Sequence, residues 1–187
     1  MSALILRENA EQQILEWVRT KETATRGFRL LVDHYNERVY WLIRRMVIDH
    51  DETDDLVQET FIKIWKNLDG FKGDSSLFTW IYRIATNEAL RFLKTKKRKI
   101  MLSLSGYEEY LAKQIDGDSS ISGNEIQKKL QLAILSLPEK QRLVFNMKYY
   151  EELKYEEMSE ILGTSVGALK ASYHHAVKKI EQFVTDH

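Results

Sequence analysis

The 187-residue chain is 43% hydrophobic and 30% charged, and its 28 basic and 28 acidic side chains leave a formal charge of zero. That is globular composition, sized for one domain or two small ones. With no cysteine and only five scattered histidines, disulfides and thiolate zinc sites are excluded and no metal or cofactor is expected. No run of about 18 apolar residues could span a bilayer, and residues 1–16 lack the basic, apolar and small-residue succession of a secretory signal. The expected location is therefore the cytoplasm, without membrane insertion.

Apolar residues recur at helical spacing nearly throughout, and proline occurs once, at Pro138. This predicts an all-α fold, with helices over residues 11–19, 25–47, 52–68, 76–96, 125–136, 138–149, 154–162 and 165–185. The zero net charge is unevenly distributed. Residues 49–69 carry seven acids against Lys63 and Lys66, a local net of −5, whereas residues 72–99 carry eight basic residues against Asp74 and Glu88, a local net of +6. The first segment suits a basic partner and the second a polyanion.

In the helix expected at 52–68, Val57, Phe61, Ile64, Trp65 and Leu68 form a core-facing stripe. The opposite side holds Asp55, Glu59, Ile62 and Lys66, so Ile62 is an apolar residue on a polar face. With Asp55, Gln58, Glu59 and the edge of Trp65 around it, Ile62 reads as the anchor of a protein-docking surface. The same residues also fit a solvated face with one stray hydrophobe.

The helix expected at 76–96 buries Leu77, Ile81, Ile84, Ala85 and Phe92 and presents Trp80, Arg83, Asn87 and Lys94 in a line, with Arg91 beside them. Cations, an amide and a large ring on one stripe suit a single strand: phosphates to Arg and Lys, bases stacked on rings, a Watson–Crick edge to Asn. The preceding loop from Phe71 to Ser75 could close over an extruded base. A buried Trp80 flanked by ordinary surface charges is the bland alternative.

Periodicity lapses over residues 100–124, where Ser, Gly and Asp collect. A flexible linker there would join two small helical domains, residues 1–99 and 125–187. The second has the layout of a helix-turn-helix: a short helix, Gly163 at a left-handed turn, Ser165 as N-cap, then a longer helix. Val166, Leu169, Tyr173, Ala176, Val177 and Ile180 make its buried stripe. Gly167, Ala168, Ala171, His175 and Lys178 face outward, flanked by Lys170, Ser172 and His174, a set suited to a major groove. Neighbours on a helix point about 100° apart, so His174 and His175 do not pair as metal ligands.

Together, DDLVQETFIKIW, FKGDSSLFTWIYRIATN and LPEKQRLVFNMKYYEELKYEEMSEILGTSVGALKASYHHAVKKI resemble a bacterial RNA polymerase sigma factor of the compact, two-domain extracytoplasmic-function (ECF) type of the sigma-70 family. The resemblance implies a transcription initiation factor that is not an enzyme. It assigns Asp55, Gln58, Glu59, Ile62 and Trp65 to core RNA polymerase. Lys63, Phe71, Trp80, Arg83, Asn87, Arg91 and Lys94 fall to reading and melting the minus-ten DNA, with Phe71, Asn87 and nearby Lys63 holding a flipped base. Lys170, Ala171, Ser172, His174, His175 and Lys178 fall to the minus-thirty-five duplex. Many relatives carry arginines where this chain has Ser172, His175 and Val177, so base preferences do not transfer. The implied partners are core polymerase, promoter DNA as duplex and melted strand, and an anti-sigma factor, often membrane-attached; the free chain is expected to be a monomer.

Two other classes compete for these residues. A self-sufficient helix-turn-helix repressor or activator would bind duplex operator DNA without polymerase and leave Ile62, Trp80 and Asn87 unused. A metal-dependent nuclease would need Asp49, Asp51, Asp54, Asp55 and Glu59 as ligands, but these acids sit where a helix N-terminus favours them, and calcium-loop glycine is absent.

Overall fold

The computed structural model describes the backbone of residues 3–101 and 125–186 and the side chains of residues 10–98 and 125–186. The described residues form eight α-helices and no strand: α1 (Ala3–Val18), α2 (Ala24–Val47), α3 (His50–Asn67), α4 (Leu77–Met101), α5 (Glu125–Ser136), α6 (Glu139–Tyr149), α7 (Tyr155–Leu162) and α8 (Val166–Asp186), with a 3-10 turn at Leu68–Gly70 after α3. The all-α expectation is borne out. Two boundaries differ appreciably: α1 starts eight residues before the expected helix, and α4 runs five residues past its expected end. The first two residues of the expected linker are thus helical, and the rest of it lies outside the described residues.

Local chemistry sets the helix starts. Asp49 accepts the Glu52 N–H at 2.9 Å and caps α3, and Ser76 accepts the Thr79 N–H at 3.0 Å at the head of α4. Ser165 Oγ accepts the Ala168 N–H at 3.3 Å, as its expected N-cap role requires. Gly163 ends α7 in the left-handed region at φ 61°, a conformation that glycine adopts without steric cost.

Around α2, helices α1, α3 and α4 bury Ile14, Leu31, Val39, Ile43, Leu56, Ile64, Leu77, Ile81 and Ala85. That core does not stop at α4. Leu143, Val144, Met147, Leu153, Met158, Ile161 and Leu169 belong to the same apolar cluster, while Ala133, Ile134, Leu137, Phe145, Ala176 and Ile180 form a second one among α5, α6 and α8. The C-terminal helices therefore pack directly on α2 and α4.

At Gly27 helix α1 rests on α2: a Cβ there would meet Trp17 Cβ and Val18 N at 2.8 Å. Alanine is the better helix former by roughly 1 kcal/mol, but overpacking of this kind costs about 1–3 kcal/mol. Gly27→Ala is expected to lower the thermal unfolding midpoint; a raised midpoint would show that α1 does not press on this position.

Candidate functional site

On α3, the residues proposed to surround Ile62 lie in the open. Asp55, Gln58 and Glu59 are exposed, and Ile62 retains 53% of its accessible surface. The core stripe is formed by Val57, Phe61, Ile64 and Leu68, joined by Thr53, Leu56 and Thr60. Trp65 corrects the expected stripe: it is 41% exposed, its ring 4.8 Å from Phe28 of α2. The helix turns it away from the core, and Phe28 props the indole beside the acidic face. Two large apolar groups thus stand exposed among carboxylates, and fully covering such a side chain is worth about 1.5–3 kcal/mol.

On α4, Leu77, Ile81 and Ala85 are buried as expected, whereas Ile84 and Phe92 are half-buried. Trp80 corrects its expected place on an exposed stripe. It is half-buried against the core, with its ring 5.2 Å from that of Phe71. The loop thereby brings Phe71 to the helix as one aromatic pair. Asn87, Arg83, Arg91 and Lys94 are exposed.

Glu88 was missed as a site residue. It is 3% exposed, and its carboxylate accepts from Lys63 Nζ of α3 through one oxygen and Arg91 Nη2 through the other. A buried carboxylate needs such partners. The wheel held the signal, since Glu88 follows Ala85 by three residues on the core stripe of α4. Lys96 is likewise drawn to Glu52 of α3, so the basic segment is partly neutralised by Glu88 within α4 and by Glu52 across the α3–α4 groove.

In the helix-turn-helix, Leu169, Ala176 and Ile180 are buried, and Val166, Tyr173 and Val177 half-buried. Gly167, Ala168, Lys170, Ala171, His174, His175 and Lys178 are exposed. Lys170 Nζ stands 5.7 Å over the Tyr155 ring. Ser172 departs from the expected outer set: it is half-buried and lines a cavity of about 380 Å³ with Asn87, Leu90, Lys140, Leu143, Val144, Leu162, Thr164 and Leu169.

That cavity lies where α6, α7 and α8 meet α4, in a seam that α2 extends. Arg83 donates to the Glu160 carbonyl of α7 at 2.8 Å. Arg142 of α6, only 1% exposed, donates to the carbonyl of Met46 at 3.2 Å and to that of Leu135 at 2.8 Å. Asn146 donates to the Arg45 carbonyl at 3.2 Å. At the centre, the Glu151 carboxylate accepts from Arg45 and, at 3.1 Å, from the Tyr82 hydroxyl. Burial above all pushes the Tyr82 phenol well above its ordinary value; Arg38 opposes and Glu151 adds to the rise. Tyr82 consequently remains a donor to Glu151.

A helical unit with an exposed apolar and acidic face, a cationic and aromatic helix beside it, and a helix-turn-helix in the same chain together define an adaptor between a protein and nucleic acid. The profile for Sigma-70 region 2 matches residues 31–99 and that for Sigma-70, region 4 matches residues 127–180. The ECF RNA polymerase sigma factor SigW of Bacillus subtilis (strain 168) is 32% identical over 168 residues, spanning 86% of this chain and 90% of that protein. Among solved structures, CnrH in complex with the cytosolic domain of CnrY superposes with a TM-score of 0.69 at 21% identity, covering 95% of this chain and 98% of that one. The sigma factor RpoE in complex with the anti-sigma factor NepR from Bartonella quintana gives 0.64 at 20% identity, covering 84% and 96%. The chain belongs to the ECF sigma factors of the sigma-70 family.

Removing the Glu151 carboxylate deletes two hydrogen bonds to a charged acceptor, each worth about 1.5–3 kcal/mol. Glu151→Ala is expected to loosen the seam and enlarge the radius of gyration in small-angle X-ray scattering at unchanged helix content; an unchanged radius would show that Glu151 does not hold it.

Proposed function

We propose that this chain is a non-enzymatic, cytoplasmic initiation factor that binds core RNA polymerase, directs it to promoters and stabilises DNA opening. The observation that carries the reading is the exposed Ile62 and Trp65 pair among acids on α3, one helix away from a strand-reading stripe. Residues 1–99 act as the polymerase-docking and minus-ten domain, residues 100–124 as linker, and residues 125–187 as the minus-thirty-five domain. Asp55, Gln58, Glu59, Ile62 and Trp65 take the polymerase contact. Phe71 and Asn87 hold the flipped base with Lys63 nearby, Trp80 supports strand separation, and Arg83, Arg91 and Lys94 meet phosphate. Lys170, Ala171, Ser172, His174, His175 and Lys178 meet the minus-thirty-five duplex.

The seam adds a condition to this mechanism. Asn87 and Ser172 line one cavity, yet elements centred about 25 base pairs apart on B-DNA are separated by about 85 Å. The two units must part before both elements are read together. Neutral net charge fits that dependence, since a chain gripping DNA unaided would be more basic. Once polymerase holds the first unit, tethering raises the effective concentration of the second.

An anti-sigma factor is the further partner this reading implies, as in the RpoE complex with NepR. A stand-alone repressor is not favoured, because it leaves the α3 face without a ligand.

Run-off transcription with purified core polymerase tests the reading. Ile62→Asp is expected to weaken polymerase association about 30-fold or more, the equivalent of losing about 2 kcal/mol of apolar contact. Asn87→Ala should retain association and lose opening. Specific duplex binding and transcriptional control without any polymerase contact would contradict it.

A further inference from the structure

We propose that Glu88 is a positioning residue for strand recognition, holding the Lys63 and Arg91 head groups on the stretch of α4 that carries Asn87 and restraining their affinity for phosphate of any sequence. This rests on the minus-ten reading of α4. Glu88 is buried, whereas the side chains it binds are not: Lys63 keeps 45% and Arg91 66% of their accessible surface. The acid is therefore fixed by the α3–α4 packing, and the cations are brought to it from two directions, Lys63 from α3 and Arg91 from one turn further along α4.

Two consequences follow from the chemistry. An ammonium has three donors and a guanidinium five, so each head can hold Glu88 and still donate to a phosphate oxygen. Their side-chain freedom is surrendered on folding rather than on binding, which fixes the phosphate contacts relative to the α4 turn that carries Asn87, one residue before Glu88 and four before Arg91. The carboxylate also sets one negative charge against two positive ones. Counterion release by a bound strand is correspondingly reduced, and the sequence-independent share of affinity falls relative to the share that Asn87 reads. Glu88 thus acts through Lys63 and Arg91 and touches no DNA itself.

The test uses holoenzyme reconstituted from the full chain and core polymerase. A DNA single strand enriched by wild type from a short randomised pool is compared with its scrambled counterpart across a salt series. Glu88→Gln keeps the shape and removes the charge. It is expected to steepen the dependence of log affinity on log salt by about 0.7 for each cation released to phosphate, and to reduce discrimination against the scrambled strand severalfold. Glu88→Asp keeps the charge on a shorter arm that cannot hold both heads; it should return the slope towards wild type without restoring discrimination. If Glu88→Gln does not fold, as judged by circular dichroism, the exposed Lys63→Gln decides: its slope must become shallower by about 0.7, and an unchanged slope overturns the proposal.

Folded Glu88→Gln with wild-type slope and discrimination overturns the Glu88 proposal alone, provided Asn87→Ala abolishes strand selection. If no strand is enriched, or selection does not depend on Asn87, the minus-ten reading fails and the Glu88 proposal falls with it.

Discussion

The packing of α6 and α7 on α2 and α4 is the constraint on which the rest of the arrangement depends. The seam has an apolar floor that continues the N-terminal core through Leu143, Val144 and Met147. It is finished with polar groups that pair across it: Arg142 with the Met46 carbonyl, Asn146 with the Arg45 carbonyl, and Glu151 with Arg45 and Tyr82. Buried polar groups are costly when unpaired, so this seam favours one registration of the two units over a loose apolar contact. Because α4 supplies both the seam and the proposed strand-reading face, the same registration that stabilises the chain covers part of its DNA surface.

The proposed polymerase face is placed differently. Ile62 and Trp65 lie on α3, whose buried side packs on α2 and α4, and their exposure in the closed arrangement leaves them free for a first contact. Docking can thus precede DNA reading. On the proposed roles the order of events is set by where each surface lies: α3 binds, the units part, and only then do Asn87 and the outer face of α8 reach elements far apart on the promoter. A neutral chain whose two proposed readers are held together has little means of occupying both promoter elements alone, which on the proposed roles makes promoter search a property of the assembly.

Much of this was legible in the sequence, because helical spacing of apolar residues directly reports which face meets a core. The spacing located the main helices, the Gly163 turn and the Ser165 cap, and Ile62 stood out as an apolar residue on a polar face. Trp65 and Trp80 were harder. Both lie at the border of a stripe, where a large ring can tilt either way, and the neighbours that settled them, Phe28 and Phe71, come from another helix and a loop. Glu88 was legible in principle as an acid at a core position, but its two cations are 25 residues before it and three after it. The seam was not legible: Arg142 reaches Met46 across 96 residues of sequence and Glu151 reaches Tyr82 and Arg45 across 69 and 106, and no local periodicity encodes such a pairing. Ser172 follows the same logic, facing the cavity because α4 lies opposite it.

On the proposed roles, the packed units of the free chain hold the two DNA-reading helices too close together to reach both promoter elements, and polymerase parts them. The chain contains no cysteine, so Asp69→Cys and Gln182→Cys, both on exposed positions, would carry two spin labels without background. Pulsed electron–electron distance measurement in the free chain should give one narrow distribution that is replaced by a longer distance on adding core polymerase. A broad distribution in the free chain, or a narrow one that polymerase binding leaves unchanged, would contradict the account.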